Sequence, residues 1–94
     1  MYRVTYHPDI PADIKGIPNP PKERIQTAIE QKLTSDPVLY GKPLQFSLSG
    51  LRCLRVGNYR VVFQLLAAEV YVVLIAHRST VYTAAPKRRQ EYFR

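Results

Sequence analysis

A chain of 94 residues, 46% of them hydrophobic, can build one modest core without disulfides, so a single domain is expected over residues 1–94. Cys53 is the only cysteine, which excludes an internal disulfide, and no apolar run is long enough to cross a bilayer. These features predict a cytoplasmic protein with no membrane contact. The net charge of +7 arises entirely from residues 41–94, and this asymmetry favours a polyanionic partner over a merely solvated basic surface.

The first part of the sequence is typical of one strand followed by helices. Tyr2–Tyr6 alternates apolar and polar residues and predicts a strand, and Pro11–Lys15 predicts a short helix. A longer helix is expected to start with Asn19 as its N-cap and Pro20 at the first helical position, and to end at Asp36. Its apolar stripe, which we expect to pack on a sheet, comprises Ile25, Ala28, Ile29 and Leu33.

Residues 51–76 are predicted to form three consecutive antiparallel strands. The two-residue link Gly57-Asn58 between apolar runs indicates a tight hairpin, because glycine supplies the positive φ that such turns need. With this link as the turn, Arg55 lies directly opposite Arg60 on one face of the sheet. Like charges in that position are destabilising, which indicates that an anion binds between them.

The third strand extends the charged cluster. If a two-residue turn falls at Ala67-Ala68, Arg60 lies across from Ile75, and His77 lies on the diagonal of the same face. The sequence therefore predicts an anion site at one end of one sheet face, formed by Arg55, Arg60, His77 and Arg78.

The order of these elements predicts an α+β fold. We expect an antiparallel sheet of about four strands with the two N-terminal helices packed on one face. The other face is then open, and the arginines lie on it. Residues 40–50 form a connecting segment that could supply a short strand, and the basic tail over residues 87–94 is either a last helical turn or a flexible arm.

Two segments carry a family resemblance. RVGNYRVVF at residues 55–63 and VVLIAHRSTVY at residues 72–82 closely resemble the RelE/ParE toxin superfamily of type II toxin–antitoxin systems, and the KPL segment at residues 42–44 fits as well. The resemblance implies a RelE-like fold and a toxin function. It does not separate the RelE branch, which cleaves mRNA on the ribosome, from the ParE branch, which inhibits DNA gyrase.

The resemblance to the RelE branch also implies site residues. Catalysis is assigned to Arg60, Arg78, Tyr82 and His77. Phosphate binding is assigned to Arg55, with further basic side chains expected to contact RNA, namely Arg52, Lys87, Arg88 and Arg89. One position departs from the pattern: where the RelE branch has a lysine two residues before the Arg55 position, this chain has Cys53. That thiol has no base spaced to activate it and is predicted to be a small buried filler.

The expected activity is a metal-independent endoribonuclease. Tyr82 or His77 would take the proton of the attacking 2′-OH, while Arg60 and Arg55 bind the scissile phosphate. Arg78 or His77 would assist the departing 5′-oxygen. No metal-ligand spacing is present, so no cofactor is expected.

Two alternatives stay open: a gyrase-binding toxin of the ParE kind without chemistry of its own, and a non-catalytic basic domain that binds RNA. The expected partners are mRNA, the ribosome and an acidic, RelB-like antitoxin that orders as it binds and forms a hetero-oligomer with the toxin.

Overall fold

Five strands form one mixed sheet in the computed structural model, which describes residues 1–92. The strands are β1 Arg3–Tyr6, β2 Lys42–Pro43, β3 Arg52–Val56, β4 Tyr59–Leu66 and β5 Glu69–His77, in the spatial order β1-β5-β4-β3-β2. β1 runs parallel to β5, and every other neighbouring pair is antiparallel. The predicted α+β class is confirmed, with one strand more than expected because the connecting segment contributes β2. The prediction of an antiparallel sheet is wrong for β1, because that strand pairs in parallel with β5.

The helices are α1 Ile10–Lys15, α2 Pro21–Ala28, α3 Pro37–Tyr40 and α4 Val81–Tyr92. α2 continues into a π-helical turn at Ile29–Leu33, and a 3₁₀ turn at Phe46–Leu48 precedes β3. The prediction for the start of α2 was one residue early, since Pro20 takes the N-cap position and no side chain caps the helix. No helix among residues 1–92 is long and apolar enough to span a bilayer.

The basic tail is helical over most of its length. α4 includes residues 87–92, which decides between the helical turn and the flexible arm in favour of the helix. The last two residues of that predicted segment, Phe93 and Arg94, lie outside the described part of the chain.

One face of the sheet packs against α1 and α2, as predicted. Ile25, Ile29 and Leu33 follow one another at intervals of four, so they line up on one side of the helix and are buried. They meet the apolar side chains that alternate along the strands, including Leu54, Val61, Phe63, Val70 and Val72. This cluster is the main core.

The opposite face of the sheet is also covered, so the prediction of an open face was wrong. Val81 and Ala85 of α4 are fully buried and pack against a second apolar cluster, formed by Leu48, Leu51, Val62, Val73 and Leu74. The spacing of four between Val81 and Ala85 gives α4 an apolar side, which is short and is surrounded by basic and polar residues in the sequence.

The first hairpin has the predicted register. Arg55 is paired with Arg60. Gly57 has φ +58°, whereas Asn58 has no positive φ, a pattern typical of a type II′ turn. The second hairpin turns at Ala67 and Ala68, also as predicted.

β5 contains one residue more than the regular ladder allows. Phe63 pairs with Val72, but Val62 pairs with Leu74, so Val73 is the extra residue of a β-bulge. Beyond it the pairing is shifted by one position, and Arg60 lies opposite Ala76 rather than Ile75. A shift of one residue exchanges the faces of every side chain that follows.

Candidate functional site

Three arginines share the sheet face on which α4 packs. Arg55 and Arg60 are directly opposite each other across the first hairpin. The backbone N–H of Arg78 donates to the carbonyl oxygen of Asn58 at 2.8 Å, so the ladder continues one residue past β5. By alternation from Ala76, which faces Arg60's side of the sheet, Arg78 takes a register position on that same side. The bulge thus keeps Arg78 with the cluster.

Arg60 is held by the hairpin turn beside it. Only 6% of the residue is exposed, and its Nη1 donates to the carbonyl oxygens of Gly57 at 2.9 Å and Tyr59 at 2.8 Å. These two bonds use both Nη1 hydrogens, and Nε and Nη2 donate to no acceptor among the described side chains and backbone. Neither nitrogen is shut off from solvent. The two bonds therefore fix the guanidinium beside the turn, within a residue that is largely buried.

The charges of this cluster affect the pKa of Cys53. It precedes Arg55 by two residues on the same side of β3, and only 4% of the residue is exposed. Burial raises the pKa of the Cys53 thiol, and the positive charges of Arg60 and Arg55 lower it by a smaller amount. The predicted burial of Cys53 is confirmed, and both arginines lie close enough to affect its pKa.

The Cys53 thiol is expected to react slowly in the folded protein. At pH 8 we expect alkylation by iodoacetamide to be at least roughly 100-fold slower in buffer than in denaturant, because the thiol is buried and remains protonated. Since the pKa is raised on folding, the stabilisation from the protonated thiol is present below about pH 8.5 and is lost as the pH rises through the folded-state value. Similar alkylation rates in both solvents would contradict this placement.

His77 lies on the other face of the sheet, so its predicted place in the cluster was wrong. The shifted register pairs it with Tyr59, and the two rings meet edge to face with their centroids 5.4 Å apart. Its Nδ1 accepts the backbone N–H of Ser79 at 3.1 Å and is 2.8 Å from the Ser79 hydroxyl oxygen. The bulge at Val73, which the prediction did not include, is the physical reason.

Tyr82 lies at the start of α4, which begins near the end of the sheet that carries the three arginines. α4 begins only three residues after Arg78, and its first residue, Val81, is anchored in the core of that face. Tyr82 follows it and is 56% exposed, and its hydroxyl makes no hydrogen bond to the part of the chain that the structure describes. The topology therefore brings an exposed phenol to the end of the sheet that carries Arg78 and the first hairpin turn.

Arg52 lies apart from the cluster. Its Nε donates to the carbonyl oxygen of Gly41 at 3.0 Å and its Nη2 to that of Val38 at 3.1 Å. These bonds tie β3 to the end of α3, and the strand alternation places Arg52 on the side opposite Arg55.

The described basic residues of α4 make different contacts. Arg88 forms a bidentate ion pair with Asp13, and Nη1 of Arg89 donates to the carbonyl oxygen of Ser47 at 2.9 Å. Lys87 is exposed. The partner Asp13 was missed by the sequence reasoning, although the interval from Val81 and Ala85 to Arg88 continues the inward side of the helix and could have indicated burial.

The candidate site is a cluster of cations, and among the described side chains no carboxylate hydrogen-bonds to Arg55, Arg60 or Arg78. Among the side chains that the structure describes, no group of three or more histidine, cysteine, aspartate or glutamate residues is arranged to hold a metal ion. Two guanidinium groups opposite each other, a third at the strand end and an exposed phenol are suited to binding a phosphate and moving a proton beside it.

Three solved structures share this fold. A chain of the RelBE2 toxin–antitoxin complex of Mycobacterium tuberculosis is 24% identical, with a TM-score of 0.76 over 82% of this chain and 98% of that chain. A chain of the RelB–RelE antitoxin–toxin complex of Methanococcus jannaschii is 21% identical, with a TM-score of 0.67 over 85% and 96% of the two chains. YafQ of E. coli is 17% identical, with a TM-score of 0.60 over 87% and 99%.

The family assignment comes from the sequence itself. A comparison with curated proteins finds no significant match. The model of a family described as the ParE toxin of type II toxin–antitoxin systems, parDE, matches residues 4–82, which is most of the chain and includes all three arginines and Tyr82. The fold of the RelE-like toxins and this match agree with the predicted superfamily. The chain therefore belongs to the ParE toxin family of type II toxin–antitoxin systems.

Proposed function

We propose that this toxin is an endoribonuclease that cleaves mRNA on the ribosome. The observation that carries the proposal is the pairing of Arg55 with Arg60 across the first hairpin, with Arg78 at the same end of the same face. Two like charges directly opposite each other destabilise a hairpin, and a phosphate bound between them removes that cost. RNA supplies such a phosphate at every linkage.

Arg60 and Arg55 bind the scissile phosphate in this mechanism. The Nε–Nη2 edge of Arg60 can grip two phosphate oxygens in parallel, and the turn carbonyls that hold Nη1 keep this edge in place before the substrate arrives. Donors fixed in advance stabilise developing charge without reorganising during the reaction. Arg55 is exposed and meets the phosphate from the solvent side.

Tyr82 and Arg78 act on the two oxygens that exchange. Tyr82, reacting as the phenolate, takes the proton of the 2′-OH, whose oxygen forms a bond to phosphorus as the bond to the 5′-oxygen breaks, and it later returns that proton to solvent. Arg78 stabilises the charge on the departing oxygen, which then takes a proton from water. The products are a cyclic 2′,3′-phosphate and a free 5′-OH. His77 has no place in these steps, because it lies on the other face.

The proposed partners follow from the same surface. The ribosome would present the mRNA, which places the toxin in the cytoplasm, and an acidic RelB-like antitoxin would neutralise the cations as it orders on them. The structures of M. tuberculosis and M. jannaschii are toxin–antitoxin complexes, which supports a hetero-oligomer here.

A reconstituted translation reaction tests the proposal. We expect the purified protein to cut a defined mRNA at discrete positions within the translated region, detected by primer extension, and to leave the same mRNA intact when ribosomes are omitted. The Tyr82→Phe variant, which loses only the hydroxyl, should cut at least roughly 10-fold more slowly. An intact mRNA in the complete reaction would reject the endonuclease.

Inhibition of DNA gyrase is the second candidate, and the match to the ParE family favours it. Its test is a supercoiling assay with purified gyrase, in which a ParE-like toxin would block supercoiling and leave double-strand breaks. Activity in this assay together with an intact mRNA would select the second candidate. Inactivity in both assays, together with RNA binding, would leave the non-catalytic RNA-binding domain.

A further inference from the structure

A buried ion pair joins two helices that lie on opposite faces of the sheet. Asp13 belongs to α1 and Arg88 to α4, and their side chains are only 11% and 13% exposed. Nη1 of Arg88 donates to Oδ2 of Asp13 at 3.0 Å and Nη2 to Oδ1 at 2.9 Å. α1 packs in the main core and α4 in the second cluster, so the pair reaches around an edge of the sheet.

The same two side chains also bind the backbone of β5. Oδ2 of Asp13 accepts the N–H of Ile75 at 3.1 Å, and Nη1 of Arg88 donates to the carbonyl oxygen of Val73 at 2.9 Å. β1 ends at Tyr6, which pairs with Val72, so the ladder on that side stops where the bulge begins. Beyond that point the carboxylate and the guanidinium replace the missing strand as partners for the backbone groups.

The bulge determines which side chains meet at the candidate site. With Val73 as the extra residue, Arg78 takes a position on the face of Arg60, and His77 packs against Tyr59 on the other face. An uninterrupted ladder would exchange the two, placing His77 with Arg60 and turning Arg78 away. Contacts that stabilise the bulge therefore place Arg78, rather than His77, on the face of Arg60.

We infer that Asp13 and Arg88 are positioning residues for RNA cleavage. They fix the bulge and thereby the face on which Arg78 lies, and Arg88 also ties down α4, which carries Tyr82. Neither residue touches the substrate. This inference rests on the proposed function and adds the residues that set its geometry.

Asp13→Asn is the variant that tests the inference. The amide keeps the size of the side chain but removes the charge that holds Arg88, so we expect cleavage to fall at least roughly 10-fold. We also expect the nuclear Overhauser contact between the His77 and Tyr59 rings to be lost, which reports the register whether or not the protein cleaves RNA. Arg88→Lys, a milder change that keeps the charge and loses the fork, should give both effects in weaker form.

Asp9→Asn is the matched control. Oδ2 of Asp9 is 4.0 Å from Nε of Arg88, and no hydrogen bond joins the Asp9 side chain to β5. This variant also removes one carboxylate beside Arg88, and we expect it to keep both the ring contact and the cleavage rate.

The outcomes separate the two proposals. If Asp13→Asn and Arg88→Lys retain the ring contact, the positioning role is wrong, whatever happens to cleavage. If Asp9→Asn matches Asp13→Asn in both readouts, the effect is general electrostatics and the role is also wrong. If the unaltered protein cleaves no RNA, the proposed function fails, while the ring contact still decides whether the pair sets the register.

Discussion

Replacing Arg60 with alanine is expected to lower the rate of mRNA cleavage by roughly 100-fold to 1,000-fold and to abolish growth arrest by the toxin expressed alone. Loss of one fixed donor to a developing anion typically costs this much. In the proposed mechanism Arg60 contributes a pair of such donors, from a guanidinium that the turn carbonyls hold in place. The rate is measured by primer extension in the reconstituted translation reaction, and growth arrest by colony counts after induction.

Two variants show whether a loss in Arg60→Ala reflects chemistry. Arg60→Lys keeps the charge without the planar fork and should recover only part of the rate. Arg3→Ala removes an exposed arginine at the far edge of the sheet, whose ion pair with Glu69 spans 3.6 Å in solvent, and should leave cleavage unchanged. Growth arrest by a folded Arg60→Ala protein, with folding checked by its melting curve, would refute the assignment.

Gly41→Ala is expected to lower the free energy of unfolding by about 3 kcal/mol, at the upper end for added atoms in a packed core. A Cβ at this position would lie 2.2 Å from Cζ of Phe63 and 2.9 Å from the carbonyl oxygen of Pro37. Phe63 is completely buried in the main core, so its ring cannot move aside cheaply. For a domain of this size the melting temperature should fall by more than about 10 °C in a calorimetric scan.

A second substitution identifies the cause of that loss. Phe63→Leu removes the ring atoms that the new methyl group would meet, so it should cost less stability in the Gly41→Ala background than in the original protein. Strictly additive losses would mean that the ring is not the obstacle. The backbone at Gly41 needs no positive φ, so the penalty has no contribution from the left-handed region.

The hairpins could be predicted because their rules are local. Gly57-Asn58 fixes a two-residue turn within four neighbouring residues, and the pairing of Arg55 with Arg60 follows from it by counting. Two arginines of the candidate site, Arg55 and Arg60, were therefore brought together from sequence alone, whereas the face on which Arg78 lies depends on the bulge. The stripe of α2 was predictable for the same reason, since it depends only on the helical period.

The bulge could not be predicted because its partners are distant in sequence. The carboxylate that binds Ile75 belongs to Asp13, 62 residues earlier, and the guanidinium that binds Val73 belongs to Arg88, 15 residues later. No local pattern in β5 contains this information. His77 was misplaced because the predicted ladder did not include this extra residue.

The cover on the second face was missed for a different reason. α4 contains Pro86 and several basic residues, and its apolar side is narrow, so the sequence resembles an exposed tail. Only the second cluster, assembled from strands and the 3₁₀ turn, gives Val81 and Ala85 a surface to bury against. α4 is therefore held on this face by tertiary packing, which local propensity does not indicate.

The position of β1 makes completion of the sheet depend on residues that are synthesised late. β1 is synthesised first, yet its neighbour in the sheet is β5. Arg3 can therefore pair only after Glu69 has been synthesised. Contacts this far apart along a chain form late and slowly. A nascent polypeptide interrupted before β5 has neither a completed sheet nor Arg78.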